Sequence, residues 1–144
     1  AGVFVPRYGS ARVAHAGAEV SLQRMQGVEV SLGATYRHGR LVDGDTAIPH
    51  FAPVVGQAVL SYAFLEQKGL IQLTGRFEGA RYVDRAESAQ VDPFFDLDLD
   101  ASYDLTPSLG LVVGLHNITS GSLERWPRYP RPPLVFTSGL RVQW

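Results

Sequence analysis

The chain has 144 residues, enough for one domain with a sizeable core, and nothing in its composition asks for two. Hydrophobic residues make up 45% and charged residues 19%, with a formal net charge of -1, so there is neither a basic field for nucleic acid nor an acidic tail. The absence of cysteine excludes disulfides and thiolate metal sites, and no apolar run approaches the roughly 20 residues of a membrane helix. Ala1-Gly2-Val3 is not followed by the apolar core of a signal peptide, so a membrane location requires strands, with the export signal removed or upstream.

Alternation with a period of two, rich in β-branched and aromatic residues, runs through nearly the whole chain and predicts an all-β protein. Val3-Phe4-Val5, cut off by Pro6, reads as the end of a truncated strand, and Tyr8-Gly9-Ser10 as a turn. Residues 11–23 set Ala14, Ala16, Ala18, Val20 and Leu22 against His15, Glu19, Ser21 and Gln23, and a tight turn follows at Arg24-Met25-Gln26-Gly27. Residues 28–40 set Val30, Leu32, Ala34 and Tyr36 against Glu29, Ser31, Thr35 and Arg37. A polar loop, 41–53, carries Asp43-Gly44-Asp45 and Pro49-His50.

The next strand, 54–64, places Val54, Ala58, Leu60, Tyr62 and Phe64 opposite Gln57 and Ser61, before a short turn at Glu66-Gln67-Lys68-Gly69. Residues 70–83 set Ile71, Leu73 and Phe77 against Gln72, Thr74, Arg76 and Glu78, and 85–93 reads as a longer polar loop. Alternation is strictest over 94–104, where Phe95, Leu97, Leu99, Ala101 and Tyr103 interleave with Asp96, Asp98, Asp100, Ser102 and Asp104. So acidic a face needs water or arginines beside it. After Thr106-Pro107-Ser108 comes a strand over 109–118, with Leu109, Leu111, Val113 and Leu115 on one side, then a long aromatic and proline-rich loop, 119–133. In the last strand, 134–144, Leu134, Phe136, Ser138, Leu140, Val142 and Trp144 share one face and Val135, Thr137, Gly139, Arg141 and Gln143 the other.

Short turns near Met25, Gln67 and Pro107 recur about every 40 residues, the length of two strands and one long loop in an outer-membrane barrel. The candidate strands meet the roughly 9 to 11 residues of a tilted transmembrane strand and exceed the 5 to 6 typical of soluble proteins. Tyr36, Phe64, Tyr82, Tyr103, Phe136 and Trp144 fall toward strand ends, where aromatic girdles belong. The expectation is a single segment, 1–144, of an antiparallel transmembrane β-barrel: seven or eight up-and-down strands forming part of a larger barrel. A soluble sandwich or lipocalin-like barrel, with the apolar face inward, is the alternative.

Several stretches resemble a known family. Tyr103-Asp104-Leu105-Thr106-Pro107-Ser108-Leu109, Val113-Gly114-Leu115-His116-Asn117-Ile118, Tyr129-Pro130-Arg131-Pro132 and Gly139-Leu140-Arg141-Val142-Gln143-Trp144 are similar to the carboxy-terminal part of a TonB-dependent outer-membrane receptor. Asn117-Ile118 answers that family's asparagine-leucine close of the penultimate strand. Gly9-Ser10-Ala11-Arg12-Val13 with Gly17-Ala18-Glu19 resembles another of its strands, though with two extra residues and no asparagine. Such receptors resemble barrels of about 22 strands filled by an amino-terminal plug, whereas this chain has room for seven or eight strands and shows neither plug nor energy-coupling box. The resemblance implies a bacterial outer-membrane location and a transport role in capturing a scarce solute such as a metal chelate. It further implies as partners the membrane lipid, the remainder of the barrel and plug, the barrel-assembly machinery and, indirectly, the TonB complex. On the same ground Phe136, Leu140, Val142 and Trp144 form the assembly signal. A self-closing eight-stranded barrel with a structural or adhesive role is the rival.

The candidate lumen-facing charges are Glu29, Arg37, Arg76, Glu78, Asp96, Asp98, Asp100 and Arg141, with the aspartates expected to pair with Arg76, Arg37 and Arg81. Hairpin symmetry puts Arg76 opposite or diagonal to Asp98 or Asp100. Arg125, Trp126, Arg128, Tyr129 and Arg131 make a basic aromatic loop suited to an anionic ligand or the lipopolysaccharide surface. His15, His38, His50 and His116 are scattered, and no metal or cofactor is expected. Asp43, Asp45 and His50, which share a loop, are the one local cluster to test, and a solvated loop is its simpler meaning. With no nucleophile elbow or phosphate loop, an enzyme is not expected.

Overall fold

A computed structural model describes residues 9–119, 124–126, 129–130 and 133–143. Trp144, the Val3-Phe4-Val5 piece, Arg128 and Arg131 lie outside the described residues. The elements are β1 Ala11–Met25, β2 Val28–Leu41, β3 Val54–Phe64, β4 Gly69–Glu78, β5 Arg81–Tyr82, β6 Gln90–Val91, β7 Phe94–Thr106, β8 Leu109–His116, β9 Glu124–Trp126, β10 Tyr129–Pro130 and β11 Val135–Val142. Seven of these form one antiparallel sheet in the order β1-β2-β3-β4-β7-β8-β11. This is a simple meander, because each long strand turns straight back on its predecessor. The remaining four make two small hairpins, β5 with β6 and β9 with β10, within the long connections.

The predicted all-β, up-and-down architecture is borne out, with seven strands in the sheet. Prediction and structure differ in one stretch. The strand expected over 70–83 ends at Glu78, and the polar loop expected over 85–93 contains β6, which folds back on β5 through Arg81↔Val91 and Tyr82↔Gln90. Tyr82 therefore belongs to a loop hairpin and not to a girdle at the end of a sheet strand.

Turn chemistry sets the register. Gln26 and Gly27 have φ of 53 and 87, the pair of positive values that a two-residue hairpin turn of the right twist demands. Met25 pairs with Val28, a register shift between Leu22 and Met25 brings Leu22 opposite Val30, and from there Leu22↔Val30, Val30↔Leu60, Leu60↔Leu73, Leu73↔Leu99, Leu99↔Leu115 and Leu115↔Phe136 form one continuous apolar row. A one-residue slip anywhere would exchange the faces.

That apolar face is uncovered. Val20, Leu22, Leu32, Leu60, Leu111, Phe136 and Leu140 are all exposed, Leu140 at 67%. Soluble monomers rarely leave a contiguous apolar patch beyond a few hundred Å², and here it spans the sheet from edge to edge. Its aromatics gather at two levels: Tyr36, Phe77, Phe95 and Phe136 toward the long loops, and Tyr62, Phe64 and Tyr103 toward the short turns. Phe95 and Tyr103, on the same side of β7, are separated by about 26 Å along a strand rising ~3.3 Å per residue. Tilted by roughly 40°, that is on the order of 20 Å, comparable with the ~25 Å apolar band of outer-membrane barrels.

Buried side chains are few and confined. Leu41, Ala52, Val91 and Phe94 are the buried hydrophobics among the described residues, all at the long-loop end, and Thr74, Arg81 and Asp98 are the buried polar ones. Leu97, Leu99, Leu111 and Leu140 are not gathered into a sealed interior, so the structure does not have the dry core of a soluble sandwich.

Candidate functional site

The other face of the sheet carries the chemistry. On β7 the even positions place Asp96, Asp98, Asp100, Ser102 and Asp104 in a column, and register pairs them with β4 as Arg76↔Asp96, Thr74↔Asp98 and Gln72↔Asp100. Arg76 is thus directly opposite Asp96 and diagonal to Asp98. Its guanidinium takes the diagonal, with Nη1 donating to Asp98 Oδ2 at 2.6 Å. Asp98 is also approached from the other flank, where the Asn117 backbone N–H donates to Oδ1 at 2.9 Å. One carboxylate so ties β4 to the exit of β8.

That exit explains the asparagine that closes the penultimate strand. Asn117 sits at φ 58, in the left-handed region that asparagine tolerates better than most residues. The reversal lets the Ile118 N–H donate to Leu97 O at 2.9 Å and the Thr119 hydroxyl to Phe95 O at 2.8 Å. The chain after β8 is stitched back onto β7 instead of continuing along β11.

Two glycines of β8 let charges meet across it. Gly110 lies between Asp104 and Arg141 in one row of the register, and the Arg141 guanidinium reaches Asp104 Oδ1 over its bare backbone. A Cβ at Gly110 would stand 2.9 Å from that oxygen. Gly114 does the same for Asp100 and Thr137: His116 leans over it, with Nε2 3.7 Å from Asp100 Oδ1 and 3.3 Å from Thr137 Oγ1, while Nδ1 is 3.9 Å from Asp98 Oδ1. The wall is therefore acidic but knitted, with a wetted surface that offers carboxylates and hydroxyls.

Toward the long-loop end the same face is roofed. The 42–53 loop folds over β2, where Ile48 and Phe51 press on the backbone of Gly39: a Cβ there would meet Ile48 Cδ1 at 2.7 Å and Phe51 Cε1 at 3.1 Å. Arg37 lies under this loop, its guanidinium over the Phe51 ring at 4.8 Å and its Nε donating to Ala52 O at 3.1 Å. Arg81, 2% exposed, contacts Glu78 at 3.3 Å and lies 5.7 Å from the Phe94 ring. Glu87 bolts the two loops together, accepting from Arg40 Nη1 at 3.2 Å and from the Ala47 N–H at 2.9 Å, and the His50 N–H donates to Tyr82 O at 2.7 Å. A cavity of about 250 Å³ remains between them, bounded by Arg37, Gly39, Ile48, Phe51, Tyr82 and Glu87.

Two expected pairings are corrected. Arg37 and Arg81 do not meet the aspartates. β2 stands three strand spacings, ~14 Å, from β7, and Arg81 lies past the end of β4, where Glu78 is its neighbour. Glu29, Arg76, Glu78, Asp96, Asp98, Asp100 and Arg141 share the polar face as the alternation required, with Glu29 opposite Ser61. Arg125 and Trp126 fall in β9 and Tyr129 in β10, where the backbone alone is described. Phe136, Leu140 and Val142 lie on the apolar face of β11. Asp43, Asp45 and His50 do not converge, and no three acidic or histidine side chains come together as a metal-ligating group among the described residues. Gly110, Gly114, His116 and Asn117 were not singled out as site residues from sequence. The signal that could have found them is the pair of glycines four apart on the polar side of β8, flanked by charged strands.

No family model and no curated protein matches the chain. Solved structures do. The chain is similar to FpvAI in its complex with pyocin S2 (18% identity, TM-score 0.75, 92% of this chain and 20% of that one). It is similar to the pyoverdine outer membrane receptor FpvA from Pseudomonas aeruginosa PAO1 bound to pyoverdine (18%, 0.73, 93% and 22%). The ferric-catecholate import receptor Fiu from K12 E. coli gives 16% identity and a TM-score of 0.73 over 94% of this chain and 21% of that one. The chain spans about a fifth of the length of each of these. At such identities the likeness establishes fold, and at that level the expected resemblance to the barrel of a TonB-dependent outer-membrane receptor is borne out. The proteins it resembles are receptors and not enzymes.

Proposed function

We propose that this chain supplies the carboxy-terminal strands of a TonB-dependent receptor barrel in the bacterial outer membrane, a component of uptake for a scarce solute such as a metal chelate. The observation that carries the reading is the opposition of the two faces. An apolar face stays bare across the sheet while the polar face carries paired charges and a folded roof. In this reading the bare face meets lipid, the acidic wall lines the lumen against the plug, and the connections 42–53, 79–93 and 117–134 lie outside the cell. Arg125, Trp126, Arg128, Tyr129 and Arg131 then form part of the outer surface that meets an anionic chelate, and Phe136, Leu140, Val142 and Trp144 serve as the assembly signal. Sheet edges support the same view, because an unpaired backbone amide in hydrocarbon is too costly to leave open. β1 and β11 are the two edges of the described sheet and do not pair with each other among the described residues.

The test uses the chain in its native cell envelope. Leu140→Arg, on the apolar face, is expected to lower barrel stability by about 2–4 kcal/mol and deplete the protein from outer membranes, whereas Ser102→Arg, on the wetted face, is tolerated. Uptake of a radioactive ferric chelate under iron limitation should fall with the first and persist with the second. Equal tolerance of both substitutions, or uptake that survives deletion of the chain, would overturn the proposal.

A further inference from the structure

Among the described side chains of the seven sheet strands, the apolar face carries charge in one place. Arg12 of β1 and Arg40 of β2 both project on that side, and the register sets them directly opposite each other. Like charges so placed repel. The backbone nevertheless holds them together, because the Val42 N–H donates to Ser10 O at 2.9 Å and carries the β1–β2 pairing past the two arginines. Arg40 Nη1 donates to Asp45 O at 2.7 Å and to Glu87 Oε1 at 3.2 Å, which fixes its guanidinium at the rim and leaves Nη2 and Nε without a partner among the described residues. Arg12 is exposed and joins no ion pair among the described residues. Two neighbouring guanidinium groups suit an oxyanion, above all phosphate, which each can hold through a pair of parallel N–H bonds.

What lies beneath the arginines narrows the source of that phosphate. Tyr36, four residues before Arg40 on the same side of β2, belongs to the aromatic level at the long-loop end. The arginines therefore stand about 13 Å farther along the strand, or roughly 10 Å along the axis of a tilted barrel, and their long side chains can reach back toward the rings. Below Arg12 the same side of β1 carries Ala14, Ala16 and Ala18, each a single methyl. Ala18 is also part of a depression of about 330 Å³ floored by Ala34, Gly56 and Gly75 and walled by Phe77 and Phe95. A cationic rim above an apolar groove fits an amphiphile with an anionic head. Free phosphate would use the rim alone.

We infer that the β1–β2 corner of the apolar face binds a phosphorylated lipid, with Arg12 and Arg40 gripping the phosphate and the alanine and glycine depression seating an acyl chain. This rests on the barrel reading proposed above and adds to it a specific lipid partner for the bare face. In that reading the long loops lie outside the cell, so the lipid is a phosphorylated, acylated glycolipid of the outer leaflet.

Lipid A and the same lipid stripped of its phosphates supply the test, because they share their acyl chains. The protein is extracted intact from outer membranes in dodecyl maltoside, which carries no phosphate, and each lipid is titrated with retention read by native mass spectrometry. Lipid A is expected to bind about tenfold more tightly than its dephosphorylated form, and Arg12→Gln to erase that difference. Arg12→Lys, which keeps the charge but not the paired N–H bonds, should recover part of it. Ala34→Phe fills the depression, leaves the arginines in place and should weaken both lipids alike. The inference is overturned by equal retention of the two lipids, by an Arg12→Gln protein that still discriminates between them, by an Ala34→Phe protein that binds both as before, or by inorganic phosphate that displaces lipid A at equal concentration. If Arg12→Gln does not assemble, the lipid pair on the unsubstituted protein and Ala34→Phe decide by themselves. Absence of the unsubstituted protein from outer membranes is a different result: it removes the barrel reading, and the lipid site goes with it.

Discussion

At the short-turn end the chain reverses at Gln26-Gly27, across 65–68 and at Pro107-Ser108, and no buried hydrophobic side chain lies there among the described residues. At the opposite end the connections are long, and they hold Leu41, Ala52, Val91 and Phe94, the buried apolar residues of the described structure. One end is therefore shaped by backbone dihedrals and the other by packing. A single sheet whose apolar face is left uncovered has no core between its strands, so side-chain burial moves to where loops fold back over the polar face. In a receptor, that is also where a solute arrives.

The contrast is broken most directly at Phe94. It is 5% exposed, and its ring forms the floor on which Arg81 and the β5–β6 hairpin rest. Phe94→Ala removes a buried aromatic and is expected to cost roughly 3–5 kcal/mol. Limited proteolysis of the assembled barrel should then cut within 42–53 and 79–93, while the short turns stay resistant. Cleavage spread evenly over both ends, or none, would show that the loops are not held by a packed centre.

A smaller effect is expected at the other end from Gly27→Ala. With φ at 87 and a Cβ position 2.4 Å from Ala63 O, the substitution strains both the turn and the neighbouring hairpin. A cost of about 1–2 kcal/mol follows, and the amide of Ala63, which donates to Gly27 O at 2.8 Å, should lose protection from hydrogen exchange. The amide of His50, bonded to Tyr82 O in the roof, should not change. Loss at both amides would mean that the two ends are coupled through the strands.

These two ends were also unequally legible in the sequence. The strict alternation over 94–104, and the alternation around Gln26-Gly27, fix faces and turns locally, so β3 was read to the residue and β7 to within two. The acidic column and its arginine were legible for the same reason, since a hairpin of known phase places Arg76 beside Asp98. The roof was not. Leu41, Ala52, Val91 and Phe94 come from four separate segments without a shared period, and Val91 sits in a run whose other members are mostly polar. The expected Arg37 and Arg81 pairings failed because charge complementarity was weighed without strand order, which in a meander separates β2 from β7 by two intervening strands.

Glu87 tests how far the roof depends on polar ties as opposed to packing. Its carboxylate joins Arg40 of β2 and the Ala47 amide of the first loop, yet the ion pair is 41% and 33% exposed, so solvent screens much of its Coulomb energy. Glu87→Ala is expected to cost about 1 kcal/mol. It should raise protease cutting in 42–53 well below the level seen with Phe94→Ala. An effect as large as that of Phe94→Ala would make the roof an electrostatic structure and not a packed one.

The smallest expected effect sharpens the comparison inside the roof itself. At the tip of the β5–β6 hairpin the Ser88 hydroxyl and N–H both donate to the Asp84 carboxylate, and these bonds hold its pKa below the usual 3.8, the hydroxyl bond contributing most. Because the folded pKa is depressed, the stabilisation is fully present above about pH 3.8 and is lost as pH falls through the folded value. A carboxyl titration followed by NMR should place the Asp84 midpoint below 3.8, and Ser88→Ala should move it upward while leaving the packed residues beneath, Val91 and Phe94, unperturbed. A midpoint at or above 3.8 in the unsubstituted chain would mean that this tip, unlike the floor under it, is not held by the bonds between Asp84 and Ser88.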